Sequence, residues 1–406
     1  MTRFHILTII GLCLLIFGIY IYKDANLMLE KSHDSPYVEQ KNNQTTGYEN
    51  GKKVFDIEIR SVRQNNYQHV LFAKKITNGT VYNHSGKKVI NQLQGDSGRI
   101  NTNIKSIIVT NNIEANIDPT TSTKSIQVKA NKFKYSHQKK TAEFYDSSTL
   151  TIDDIEINSN NFTYLNHDET LIFESGFQLR DTHSQTTVNR AVININESLI
   201  IATNNIISHY KKPISKNDSD QIKALLKHPT TISAKKLMID FSDNDHSIVT
   251  YNQKVIVNQT GKSLASDYLI LDFKSDHYVA KNDLKFSFNN LQWLLNKTRT
   301  IKNKDIQKIL KKQTTIRAEL AQFNPKKNTF MLEKNVQLKQ KNFKLTCDHL
   351  IYDINDEKIT MTGNVIIKKY GIEHLNSSKL IVDIKNETFR SDSNKELSEI
   401  ILELDN

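Results

Sequence analysis

The chain has 406 residues, of which 37% are hydrophobic, with 12 glycines, 2 cysteines and a formal net charge of +11. That apolar share is thin for a thick-cored globular enzyme of this length and suits an extended sheet around one shallow interior. Cys13 and Cys347 are too few and too far apart in character for a disulfide framework or a thiolate metal site, and the positive charge favours anionic partners: nucleic acid, anionic lipid or phosphorylated glycolipid.

Residues 1–3 precede Phe4–Tyr22, a mostly apolar run without Asp, Glu, Lys or Arg. At ~1.5 Å per residue it reaches roughly 28 Å, enough to cross the hydrocarbon of a bilayer once. Arg3 before it and His5 at its start favour a cytoplasmic N-terminus, against which Lys23 weighs on the other side. No small-x-small cleavage site follows the run and bulky Leu12 precedes Cys13, so the segment reads as a retained signal anchor, not a cleaved signal or lipoprotein leader. Residues 23–52 are polar, lack apolar periodicity and read as a flexible linker.

Strand patterns begin near Val54-Phe55-Asp56-Ile57-Glu58-Ile59 and continue to about residue 390. Within them a pattern recurs about every 30 residues: a small residue, two variable positions, an apolar run, then Asp or Asn. Close copies are Ala234-Lys235-Lys236-Leu237-Met238-Ile239-Asp240, Ser266 to Asp272, Cys347 to Asp353 and Ser377 to Asp383, with looser copies at Ala130, Ser159 and Ala318. Such a period means stacked supersecondary units sharing one core. A second alternating segment follows each small residue, as at Phe177, Leu284, Val336 and Val365, so each unit reads as two strands. The rhyming Thr110-Asn111-Asn112-Ile113 and Thr203-Asn204-Asn205-Ile206 read as polar turns between strands. One strand per repeat in each of two sheets gives a body about 45–50 Å long at ~4.8 Å per strand.

Two insertions break the spacing, between Arg190 and Ala234 and between Ser266 and Ala318, and their sequences match each other at a constant offset. Each carries an amphipathic helix, near 218–228 and 304–312; the Lys-rich second one either touches anionic headgroups or packs over an open end of the sheets. Residues 391–406 form a C-terminal tail, read as a last strand or short helix.

No phosphate loop, nucleophile elbow or His-x-x-x-His spacing is present, so neither an enzyme nor a cofactor or metal is expected. Asp240, Asp243, Asp245 and His246, and likewise Asp353, Asn355 and Asp356, fall where turn chemistry calls for Asp and Asn; His167-Asp168-Glu169 reads as solvated. The aromatics occupy alternating apolar positions instead of lying exposed among basic residues, which argues against nucleic acid.

The units Cys347 to Asp353 and Thr362-Gly363-Asn364-Val365-Ile366-Ile367 resemble the OstA/LptA-type repeats of the lipopolysaccharide-transport machinery, most closely over residues 316–385. One N-terminal span followed by such repeats resembles LptC, the membrane-anchored member, and Ala73-Lys74-Lys75 with Val81-Tyr82-Asn83 is similar to its first periplasmic unit. The resemblance implies an all-β fold, an elongated V-shaped β-jelly roll behind one transmembrane helix, with LptC-like repeats at 53–190 and LptA/OstA-like repeats at 191–390. It implies an inner-membrane, single-pass protein with its bulk in the periplasm. Such a protein takes lipopolysaccharide from an ABC transporter with LptF/LptG-like subunits and passes it to an LptA-like or outer-membrane LptD-like jelly roll. The chain is longer than LptC-type proteins usually are, as an extended LptC or a fusion of LptC and LptA segments would be.

Acyl chains need a continuous apolar trough beside a basic rim. Its inward candidates are Phe133, Tyr135, Phe162, Tyr164, Leu237, Ile239, Val255, Val257, Leu269, Leu271, Val336, Leu338, Leu350, Tyr352, Val365, Ile367, Leu380 and Val382. The alternative from a different class is a membrane-tethered structural or adhesive β-solenoid with a filled core and no lipid.

Overall fold

A computed structural model describes residues 37–65, 69–119, 125–181, 184–211, 228–242, 248–294, 301–302, 304–370, 372–393 and 396–398. The anchor Phe4–Tyr22, nearly all of the first helical insertion and the Asp243, Asp245, His246 group lie outside them. Among the described residues no helix is long and apolar enough to cross a membrane.

The described residues form 24 strands in one antiparallel ladder. In chain order they are β1 (Tyr37–Glu49), β2 (Lys52–Asn65), β3 (Val70–Tyr82), β4 (Lys88–Asn101), β5 (Ser106–Ile117), β6 (Ile126–Ser136), β7 (Thr141–Ile152) and β8 (Ile155–Leu165). Four short strands follow: β9 (Thr170–Phe173), β10 (Phe177–Arg180), β11 (Ser184–Val188) and β12 (Arg190–Asn194). Then come β13 (Leu199–Tyr210), β14 (Thr230–Asp240), β15 (Ile248–Gln259), β16 (Lys262–Asp272), β17 (His277–Phe288) and β18 (Thr314–Asn324). The last six are β19 (Thr329–Gln340), β20 (Phe343–Asp353), β21 (Lys358–Lys369), β22 (Ile372–Asp383), β23 (Thr388–Ser393) and β24 (Glu396–Ser398). A 3-10 turn at Gln292–Leu294 and one α-helix, α1 (Lys304–Lys311), stand in the second insertion, the α-helix where the sequence predicts it.

Outside the four short strands, each strand pairs with the one before and the one after it, and the ladder crosses the expected boundary at 190–191 without a break. β1 corrects the linker reading, since residues 37–49 are a strand paired along its length with β2. The strand escapes a periodicity search because it pairs on one side only and, among its described side chains at 39–49, none that is apolar is buried, so backbone hydrogen bonds hold that stretch instead of a hydrophobic face.

The repeat has a geometric cause. Asn111 and Asn112 of β5 both have positive φ (63° and 51°), as do Asn204 and Asn205 of β13 (65° and 50°) and Lys334 and Asn335 of β19 (62° and 54°). The polar pairs read as turns are therefore bulges inside single strands. On β5 the two residues Asn111 and Asn112 lie between Thr110 and Ile113, whose partners on β6, Lys132 and Ala130, enclose only Asn131. A two-against-one count bends the strand and lets its apolar residues face the same interior on both sides of the bend. The residue after each bulge pairs with the small residue of the next strand: Ile113 with Ala130, Ile206 with Ala234, Leu284 with Ala318, Val336 with Cys347. The inner side of the bend admits only a small side chain there. Where it is serine, the hydroxyl donates to the carbonyl two residues on: Ser159 to Asn161 (2.9 Å), Ser266 to Tyr268 (3.1 Å) and Ser377 to Lys379 (2.8 Å).

Every long strand thus contributes to two arms, so a repeat adds two strands to each arm instead of one. Counting the split rungs β9/β10 and β11/β12 once each, the ladder is about 100 Å long at ~4.8 Å per step, twice the expected length. The split at β9/β10 turns on Gly176 (φ 77°), where an added Cβ would lie 2.1 Å from the Val188 carbonyl oxygen. The arms fold towards each other: the Phe286 and Phe330 rings, on opposite sides of their bends, meet edge to face at 5.7 Å, and Tyr251 donates across the interior to Ser208 (2.7 Å).

Asparagine tolerates left-handed backbone and valine does not, at a cost of about 1–2 kcal/mol per residue. The double substitution Asn204→Val/Asn205→Val is therefore expected to lower the urea midpoint clearly, while Asn204→Gly/Asn205→Gly leaves it near the parent value. Equal midpoints for the two variants would refute the bulge as the origin of the repeat.

Candidate functional site

Cross-strand register lines the inward side chains up into rows running across the ladder. One row passes through Leu71, Ile100, Ile107, Tyr135, Ala142, Tyr164, Leu171, Ile193, Ile200, Ile239 and Val249. It continues through Leu271, Tyr278, Phe323, Phe330, Tyr352, Ile359, Val382 and Phe389. A second row on the other arm joins Ile232, Val257, Leu264, Phe286, Ile316, Leu338, Leu345, Ile367 and Leu375. Between them, beside the bend, Leu237, Tyr251, Leu269, Ala280, Ala321, Leu332, Leu350, Met361 and Leu380 form a buried floor.

All the predicted trough residues face this interior. Phe133, Tyr135, Phe162, Tyr164, Leu237, Ile239, Val255, Leu269, Val336, Leu350, Tyr352, Val365, Ile367 and Leu380 are buried; Val257, Leu271, Leu338 and Val382 are partly exposed and packed against the core. The structure divides them by place. In the N-terminal half the interior is filled: Phe144 lies 5.0 Å from Phe133 and stacks on Phe162 at 4.7 Å, and the series goes on to Phe173 (5.4 Å) and Phe177 (5.0 Å). From Leu271 onward the first row is largely half-exposed, with Leu271, Phe323, Phe330, Ile359, Val382 and Phe389 all open in part. From β16 to β23 this stretch measures about 34 Å at ~4.8 Å per strand, interrupted at β20, where Tyr352 is buried.

The difference lies in what joins the rims. In the N-terminal half Glu49, on the β1–β2 rim, receives hydrogen bonds from Lys105 (2.9 Å) and His137 on the opposite rim. In the C-terminal half the second insertion reaches across. Tyr352 donates to the Leu294 carbonyl (2.8 Å), the Lys302 amide donates to Glu387 (2.9 Å), and the Leu291 amide to the Leu310 carbonyl (2.7 Å), with Leu294, Ile301 and Leu310 buried beneath. Burial pushes the Tyr352 phenol well above its usual range, so it stays a donor. Lys262 lies over the Trp293 ring at 5.3 Å, and burial lowers its ammonium. Helix α1 thus belongs to a strap over the interior.

Outside the second arm, Lys339, Lys344 and Lys368 are exposed and directly opposite one another across three strands. Like charges so placed repel, and an anion between them relieves it. The turn residues behave as expected from sequence: Asp353 accepts from the amides of Asn355 (2.9 Å) and Asp356 (3.1 Å), and Asp240 from that of Ser242 (3.0 Å). His167 and Asp168 pair at 2.9 Å in solvent.

Sequence reasoning placed Phe323 in the repeat at Ala318 but left it out of the trough, and it missed Phe330, Ile359 and Phe389 because it started from the small residue of each repeat. For Phe330 and Ile359 the bulge supplies the missing signal, since the residue four before it faces inward in strand after strand: Ile107, Ile200, Val249, Tyr278, Phe330 and Ile359.

Residues 231–358, from β14 to the start of β21, match the family model for the LptA/(LptD N-terminal domain) LPS transport protein. No curated protein matches the chain. Among solved structures, LptH of Pseudomonas aeruginosa, described as the LptA homologous periplasmic component of the conserved lipopolysaccharide transport device, is 14% identical. That match covers 36% of this chain and 86% of LptH, with a TM-score of 0.25.

Proposed function

We propose that the chain is a lipopolysaccharide carrier of the cell envelope, in which acyl chains lie along the open C-terminal part of the interior. The observation that carries this reading is the single apolar row that is sealed as far as Val249 and partly open from Leu271 to Phe389. A long apolar lane with polar strands on its outside suits a lipid whose tails need shelter and whose headgroup stays in water. The family match over residues 231–358 supports this cargo class. Lys339, Lys344 and Lys368 stand ready for the phosphates.

On this reading Phe4–Tyr22 anchors the protein in the inner membrane as a single span and the ladder stands in the periplasm. It takes its cargo from an ABC transporter with LptF/LptG-like subunits, which supplies the energy, and passes it to an LptA-like or LptD-like roll by edge-to-edge strand pairing. The N-terminal half, with its filled core, is the rigid arm, and no chemical step on the cargo is required of any residue.

A photoreactive phenylalanine analogue placed at Phe330 is expected to form an adduct with lipopolysaccharide in cells, and the same analogue at Phe144 is not. Adducts at neither position would replace the carrier with a lipid-free tethered scaffold; adducts at both would move the lane into the half described as sealed.

A further inference from the structure

The rims of the N-terminal half meet at a cluster that lipid carriage does not use. Glu49 ends β1 and His84 lies in the β3–β4 turn, both on one rim, whereas His137 follows β6 on the other. Their candidate ligand atoms all lie within 4.8 Å of one another. We propose that Glu49, His84 and His137 form a site for a divalent transition metal of the zinc class, which staples the two rims together.

Two imidazole nitrogens and one carboxylate oxygen are a donor set that borderline metals prefer, with one position left for water. Around a tetrahedral ion at ~2.1 Å the donors lie roughly 3.4 Å apart, so the ion enters by a small parting of Glu49 from His137 and an inward swing of His84. His84 has room to make that swing, being exposed on a turn and touching His137 only edge-on, with centroids 5.7 Å apart. The outer contacts are already in place. Tyr135 Oη lies 3.2 Å from His137 Nδ1, leaving Nε2 for the ion, and Lys105 Nζ holds Glu49 Oε1 at 2.9 Å, leaving Oε2. Metal sites orient their histidines and carboxylates by such second contacts.

A cleft of about 230 Å³ lined by His84, His137, Asn166 and His167 adjoins the cluster and gives an ion a way in and its water a place. Lys140 lines the same cleft. Glu49 accepts from both Lys105 and His137. The lysines oppose a cation and set the affinity to moderate. The ligands are separated in sequence by two strands or more and come from one strand end and two turns, which hides them from any local motif.

The test uses the untagged full chain, stripped with a chelator and titrated with Zn²⁺ and with Co²⁺. One Co²⁺ per chain is expected, with the visible bands of a tetrahedral centre, and saturating Zn²⁺ is expected to raise the melting temperature by a few degrees. His84→Ala should melt like the parent without metal and bind Zn²⁺ at least tenfold more weakly; His137→Ala and Glu49→Gln should also lose the Co²⁺ bands. A parent chain that ignores Zn²⁺, or a His84→Ala variant that responds to it as the parent does, overturns the site and leaves Glu49, Lys105 and His137 as a charge clasp alone.

Discussion

Phe144→Ala is expected to cost about 3–5 kcal/mol of stability, the range for removing a buried aromatic ring. Phe144 has no exposed surface and sits between Phe133 and Phe162 at 5.0 and 4.7 Å. The neighbouring pairs add about 0.5–1.5 kcal/mol each beyond the area they bury, and both are lost together. No adjacent chain is free to collapse into the gap, because the strands on either side are fixed by their own ladders. Phe144→Leu, which keeps most of the volume, should lose much less. Denaturant unfolding followed by circular dichroism measures both. A loss below about 1 kcal/mol for the alanine variant would mean that the N-terminal interior is loosely filled, contrary to its role as the rigid arm.

Leu350→Asp is expected to abolish lipopolysaccharide adducts at Phe330 while leaving the N-terminal half folded. Leu350 lies on the buried floor, 5% exposed, paired across the strands with Leu332 and Met361. A carboxylate there either ionises without a partner, at a cost of several kcal/mol, or takes up a proton and remains a polar group facing the tails. Leu350→Ala, which opens space without adding polarity, should retain adduct formation. The measurement is crosslinking yield at Phe330 in each variant, with near-ultraviolet circular dichroism as the check on folding. Normal yield from a folded Leu350→Asp protein would place the cargo on a surface other than this interior.

The strand content, the two-strand unit and the inward set were legible because alternation is a local signal: Leu350 and Tyr352, or Val365 and Ile367, declare one face by position alone. The small residue at each bend was legible too, although its meaning was not. Asn111-Asn112 looks like a turn because the residues that tolerate left-handed backbone in turns also tolerate it in bulges, and only pairing on both sides of Asn111 and Asn112 distinguishes the two. β1 was illegible because residues 39–49 bury no apolar side chain, and the Glu49, His84, His137 cluster because rim contacts depend on how far the sheet folds over. Which part of the interior is sealed is likewise a property of closure, and Phe162 and Leu271 are equally apolar in sequence while differing in exposure.

The ladder also sets how the molecule comes apart. The backbone ladder joins each strand only to its immediate neighbours, so its share of stability is a sum of adjacent couplings along a line, with the Glu49 clasp and the Leu294 strap added across it, and denaturation is expected to start from an end or from a weak junction. The split rungs β9/β10 and β11/β12 are that junction: the strand is interrupted at the bend, and the pairing of β8 with β9 and β10 is shorter than its pairing with β7. Amide protons on either side should exchange as two separate blocks, giving the chain two melting units within one uninterrupted sheet.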